Sequence, residues 1–251
     1  MKRAFLVLIL HGLAVAGYLA AARAAPEPGA ANCRVPSEII EDDPPLPLTA
    51  QRLKAKQPVR IVVMGGASTA GVATGDGAAK GYPHRLEEAL QRRHPGIDIT
   101  VLNKAKPGQT TAAMAERFAL DVYPANPTLV IWETGTVDAV RGIDVDQFTA
   151  TLEAGIAALR EHHFDIMLVT MQYNPSTGSV INFEPYMEAL THAADFVDVY
   201  LFRRYEIMKY WSEQGVFDYA NVPRNQRAQF ATDVYRCLGD ALAEAVDYGA
   251  R

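Results

Sequence analysis

The sequence predicts a single three-layered α/β domain built on a five-stranded parallel sheet. Three observations lead to this class. Five short, apolar, β-branched runs recur along the chain, as strands buried on both faces require. A helical pattern lies between each run and the next, and such alternation means right-handed crossovers with helices on both faces. No internal repeat and no second domain interrupts the pattern, and 251 residues are enough for one α/β domain with a sizeable core.

The N-terminal segment stands apart from that domain. Lys2 and Arg3 precede an apolar run from Phe5 to Ala22, followed by Ala22-Arg23-Ala24. A basic start, an apolar centre and small residues at an A-x-A site read as a secretory signal over residues 1–24, cut after Ala24. The rival reading is an uncleaved anchor helix, the chain's one route to a membrane; Gly12, Gly17 and His11 weaken it. A cleaved signal implies a secreted protein, periplasmic in a Gram-negative cell.

Residues 25–57 read as an N-terminal arm, because prolines and acidic pairs in "APEPGAANCRVPSEIIEDDPPLPLTA" disfavour a regular element; a short helix over 48–56 is the one exception. The chain holds two cysteines, Cys33 and Cys237. In an oxidising compartment they invite a disulfide that ties the arm to the last helix; in a reducing one they would be two buried thiols. Closing a loop of about two hundred residues is worth roughly 4–5 kcal/mol by chain entropy, less any strain.

The domain, 58–251, follows. Strands are predicted over 59–64 (VRIVVM), 98–103 (DITVLN), 128–133 (TLVIWE), 165–171 (DIMLVTM) and 197–201 (VDVYL), and helices over 82–93, 110–121, 146–161, 184–195, 203–214 and 233–248. The last helix carries "CLGDALAEAV" as its apolar stripe. A net charge of −5 advertises no basic face for nucleic acid. No P-loop, G-x-G-x-x-G or metal-spaced Cys/His cluster is present, so neither cofactor nor metal is expected.

Sheets of this kind place their sites at the carboxyl ends of the strands. The first strand there runs into Gly65-Gly66-Ala67-Ser68-Thr69, the second into "NKAKPGQTT" and the third into "ETGTVDA"; "ANVPRNQRAQFATDVYRCLG" leads into the last helix. With "GYPHRLEEAL", "VIWETGT", "LFRRYEIMKYW" and "YRCLGDALAEAV", this order resembles the SGNH (GDSL-type) hydrolases, in particular a secreted bacterial branch with G-S-S-S-T-x-G as its first block. The resemblance runs from about Cys33 to the C-terminus. It implies the flavodoxin-like SGNH-hydrolase fold and ester hydrolysis. In that chemistry a first-block serine attacks. Its amide, a second-block glycine and a third-block asparagine hold the oxyanion, and a D-x-x-H pair in the last block supplies the base.

Laid on this chain without a gap, the pattern fixes Gly65, Thr69 and Gly71 and puts Ala67 at the nucleophile, with Ser68 one residue late. Asn103 and Gly108 fit the second block, Val137 replaces the third-block asparagine, and the acid and base fall on Gln226 and Gln229. Independently of register, the histidines are His11, His84, His94, His162, His163 and His192, so the final loop holds none. Alanine has no nucleophile, and glutamine no basic nitrogen at neutral pH.

Ser68 reads either as a displaced nucleophile or as a turn or cap serine. Glu133 and Asp138 form an acidic pair at the cleft, or one is buried on loop amides and the other exposed. Gln172 and Tyr173, at the end of the fourth strand, are candidates for ligand contact beside Ser68 and Gly108. His84 reads as a surface residue, and His162-His163 as complements to a helix dipole. The sequence therefore predicts a secreted SGNH-like protein with a dismantled site, a pseudo-esterase that binds a ligand or partner in the envelope, such as an acylated glycan. The alternatives are an esterase using Ser68 and a structural subunit of an envelope complex.

Overall fold

The computed structural model describes residues 32–41, 43–178 and 180–251. The segment read as a secretory signal lies outside them. Among the described residues no helix is long and apolar enough to cross a membrane.

Five strands form one sheet: β1 (Val59–Met64), β2 (Ile99–Asn103), β3 (Leu129–Glu133), β4 (Asp165–Val169) and β5 (Tyr200–Phe202). Their order is β2-β1-β3-β4-β5 and every pairing is parallel, with Ile61 opposite Val101 on one side and Leu129 on the other. This is the doubly wound order whose direction reverses between β1 and β3, the crevice where ligands sit in such folds.

The helices are α1 (Pro47–Lys54), α2 (Tyr82–Arg93), α3 (Thr111–Ala115), α4 (Phe118–Asp121), α5 (Thr136–Arg141), α6 (Val145–Glu161), α7 (Pro175–Gly178), α8 (Glu184–Phe196), α9 (Arg204–Glu213) and α10 (Arg227–Gly249). Alternation along β1 builds the layers. Ile61 and Val63 face a core made with Leu86, Trp211, Leu238 and Leu242 of α2, α9 and α10. Val62 and Met64 face the other, made with Phe148, Leu152, Ile156 and Leu190 of α6 and α8. Close approach of α2 and α10 depends on Gly239, where a Cβ would come within 2.4 Å of Arg85 Cβ and 2.8 Å of the Leu86 nitrogen.

Local chemistry sets the ends of these elements. The Asp144 side chain accepts from the amides of Asp146 and Gln147, both at 3.1 Å, and so caps α6. The carboxylate of Asp165, first residue of β4, accepts from Leu48 N at 3.2 Å and Thr49 N at 2.7 Å, which anchors the start of α1. Burial, partly offset by these bonds, raises the Asp165 pKa.

Three predicted elements are redrawn. The helix expected over 110–121 divides into α3 and α4, where Arg117 reaches the Lys104 carbonyl at 2.8 Å and Phe118 turns edge-on to Trp132, centroids 5.0 Å apart. The fifth strand starts at Tyr200 rather than 197, after a turn with Asp198 at φ 54°. The last helix starts at Arg227, six residues before the expected 233, because its exposed first turn carries no apolar stripe.

The arm is bound along the β5 edge. Cys33 and Cys237 form a disulfide with Cα atoms 5.1 Å apart. The Tyr200 hydroxyl donates to the Ile40 carbonyl at 2.6 Å, and Asp43 takes the Leu201 amide and the Arg203 guanidinium. An edge strand covered in this way is not free to pair with another chain. Replacing Cys33 by serine is expected to cost about 2–4 kcal/mol of unfolding free energy, read by urea denaturation. A loss below about 1 kcal/mol would show that the arm holds without its covalent tie.

Candidate active site

The turn after β1 and the turn after β3 meet at the reversal of strand order, and a buried polar network joins them. Glu133, the last residue of β3, is 2% exposed. Its Oε2 accepts from the Gly66 amide and the Thr69 hydroxyl, both at 2.9 Å. Its Oε1 accepts from the Thr136 hydroxyl at 3.2 Å and from Arg204 Nη2 at 3.3 Å. Thr69 also shares a 2.7 Å hydrogen bond with the Tyr82 hydroxyl, whose pKa burial pushes up. Gly65 is required beneath this arrangement, since a Cβ there would lie 2.2 Å from Thr69 Oγ1.

Arg204 supplies the charge that makes the network tolerable. It opens α9, is 1% exposed, and spends its guanidinium on three acceptors: the Thr170 carbonyl at 3.0 Å, the Ser68 hydroxyl at 3.1 Å, and Glu133. A buried ion pair in which each guanidinium nitrogen also has an acceptor avoids much of the desolvation penalty. At the end of β2, Asn103 Nδ2 donates to the Thr69 carbonyl at 2.9 Å and fixes the β2 loop against the β1 loop.

Above the network is a small pocket of about 110 Å³. Ala67, Ser68, Gly108, Glu133, Val137 and Gln172 all line it. Among the described residues the main-chain N–H groups of Ala67 and Gly108 meet no protein acceptor, so both remain to receive a ligand oxygen. Gln172 also lines a second pocket of about 430 Å³, together with Tyr173.

Other expectations are corrected. Gln226 and Gln229 do not join Ala67, Gly108 and Val137: both are exposed, neither lines either pocket, and Gln229 Nε2 donates to Asp233 at 3.1 Å. The reason is the early start of α10, which carries Gln229 on its exposed first turn. Asp138 lines neither pocket and makes no pair with Glu133. It is 2% exposed, so neither carboxylate of that block is on the surface. It accepts from the Thr111 amide at 3.0 Å and the Thr111 hydroxyl at 2.9 Å, and burial raises its pKa against those bonds. Asp138 therefore anchors the start of α3 to α5.

The five described histidines lie elsewhere. His84 faces Glu88 at 3.6 Å on α2, and His94 meets Asp247 at 2.6 Å. His162 stacks on Tyr123, His163 adjoins it in the turn after α6, and His192 stacks on Phe196. Neither pocket is lined by a histidine.

With this geometry in place, similarity can be read. The model of the non-GDSL lipase-like family matches residues 32–251, nearly the whole chain. The chain belongs to that family. An arylesterase from Vibrio mimicus is 27% identical over 99 residues, which cover 39% of this chain and 48% of the enzyme. The match thus spans about half the length of that curated relative. Among solved structures, the acetyl xylan esterase AlAXEase superposes with a TM-score of 0.60 at 19% identity, covering 75% of this chain and 100% of the other. Axe2, an acetylxylan esterase from Geobacillus stearothermophilus, gives 0.60 at 18% identity, covering 75% and 94%. These likenesses establish the shared esterase fold of this non-GDSL lipase-like protein.

Sequence reasoning missed Arg204 and Tyr82. The signal for Arg204 was available: "LFRRY" places two arginines directly after a strand buried on both faces, at the sheet edge where sites form. Tyr82 carried no such mark, being one apolar position among several on α2.

Proposed function

We propose that this non-GDSL lipase-like protein is exported and binds a small acylated ligand, of the kind carried by an envelope glycan, without hydrolysing it. One observation carries the reading: Ser68 follows Ala67, the residue that the sequence resemblance aligns with the nucleophile, and its hydroxyl accepts a hydrogen bond from the Arg204 guanidinium. A guanidinium has no acceptor lone pair and stays protonated in proteins, so it cannot take the serine proton. A serine without a base keeps a hydroxyl far too weakly acidic to attack an ester near neutrality. What remains are two unengaged amides in a small pocket, donors suited to a carbonyl oxygen. Export is supported by the basic-apolar-small pattern of residues 1–24 and by the Cys33–Cys237 bond, which persists in oxidising compartments.

The test is hydrolysis of p-nitrophenyl acetate by the purified protein. The expected rate equals that of an inert-protein control at equal concentration. Turnover above that control that Ser68→Ala abolishes would overturn the proposal in favour of a displaced nucleophile.

A further inference from the structure

The second pocket has chemistry of its own. It lies beside the small pocket, sharing Gln172 with it, and its volume of about 430 Å³ falls inside the range of about 300–1,000 Å³ typical of small-molecule sites. Part of its wall is aromatic, formed by Tyr173, Tyr219, Phe230 and Tyr235. Tyr219 stands edge-on to Tyr173, centroids 5.9 Å apart, and edge-on to Phe230 at 5.5 Å. Such pairs hold one another rigid and present ring faces and edges at low entropic cost. Arg227 is the one charged residue in the lining, which includes no Asp or Glu. Among the described residues the Arg227 guanidinium makes no ion pair and no hydrogen bond.

We propose that this pocket binds a sugar residue bearing a carboxylate, a uronic acid, with the carboxylate on Arg227 and the ring against the tyrosine and phenylalanine walls. The inference rests on the proposed binding role and names the ligand class. An unpaired guanidinium, with no acid in the same lining, selects an anion, and its planar fork matches a carboxylate in two parallel hydrogen bonds. Aromatic walls alone would accept any flat apolar body. The Gln172 amide at the junction adds donors and an acceptor that suit hydroxyl groups, and a sugar ring combines apolar faces with a hydroxylated rim. A sugar seated here brings an ester on a neighbouring hydroxyl to Gln172 and so toward the amides of Ala67 and Gly108.

Isothermal titration calorimetry of the purified protein with cellobiuronic acid, cellobiose and benzoate tests this. The acid disaccharide is expected to bind about tenfold more tightly than cellobiose, the ratio that one good charge-assisted contact supplies. Arg227→Ala should bring the two disaccharides to equal affinity, and Arg227→Lys should keep part of the preference. Arg227 is exposed, so neither substitution disturbs the core. Equal affinities in the wild type, a preference that survives Arg227→Ala, benzoate binding as tightly as cellobiuronic acid, or no binding of cellobiuronic acid would each overturn the assignment. Ester turnover by the same preparation reports separately on the non-hydrolytic reading. A lost acid preference without turnover refutes the uronic acid alone.

Discussion

Arg204→Met is expected to lower the unfolding free energy by about 3–5 kcal/mol, the penalty typical of removing one partner from a buried ion pair. Methionine fills much of the volume, so the loss comes from charge and hydrogen bonds rather than from a cavity. Glu133 stays 2% exposed with its charge uncompensated, and the Thr170 carbonyl and Ser68 hydroxyl lose their donor together. Glu133→Gln in the same chain should recover part of the loss, because the neutral amide still offers an oxygen to the Gly66 amide and the Thr69 hydroxyl. Urea denaturation followed by circular dichroism on the two single variants and the double gives the coupling directly. A loss below about 1 kcal/mol for Arg204→Met would show that the pair is not the brace between β1, β3 and α9 described above.

On the proposed reading, Ala67→Ser is expected to be hydrolytically silent although it places a hydroxyl where the sequence resemblance puts the nucleophile. Loss of a base or nucleophile from a serine triad costs on the order of 10⁴- to 10⁶-fold in turnover, and on the proposed non-hydrolytic reading the base is absent whatever stands at position 67. No histidine lines the pocket, and Gln229 is exposed and bonded to Asp233 outside it. Gln229→His in addition would place an imidazole on an exposed turn of α10, away from Ala67 and Val137. Release of p-nitrophenol by Ala67→Ser at the wild-type level is the expected reading. A rise of more than about tenfold would mean that a base reaches position 67 after all.

The sheet was legible because its information is local. VRIVVM, TLVIWE and DIMLV are apolar at every position or nearly so, and such runs admit little but strands buried on both faces. The meeting of Ala67, Gly108 and Val137 followed from placing the motif blocks at strand ends. The path of the chain between Phe217 and Arg227 was not legible. Matching D-x-x-H by its distance from Tyr235-Arg236-Cys237 carried Gln226 and Gln229 to the site, but the helix begins at Arg227 and turns Gln229 to solvent. Asp138 was misplaced for a related reason: a carboxylate's partners are set by tertiary contact, and Thr111 lies 27 residues away in sequence. Arg204 escaped because a pattern reading counts a charged residue as surface unless a partner is seen, and Glu133 lies 71 residues before it.

Whether the cleft of this non-GDSL lipase-like protein binds without cleaving is tested most directly by a serine-directed organophosphate. Labelling requires an activated hydroxyl, independently of which ester the protein would prefer. Wild-type protein is incubated with the reagent beside a competent serine esterase and measured by intact mass, followed by peptide mapping. The unmodified mass is predicted for the wild type under conditions that label the esterase completely. A phosphorylated peptide carrying the adduct on Ser68 would contradict it, since it would show that this serine is activated despite its hydrogen bond from Arg204.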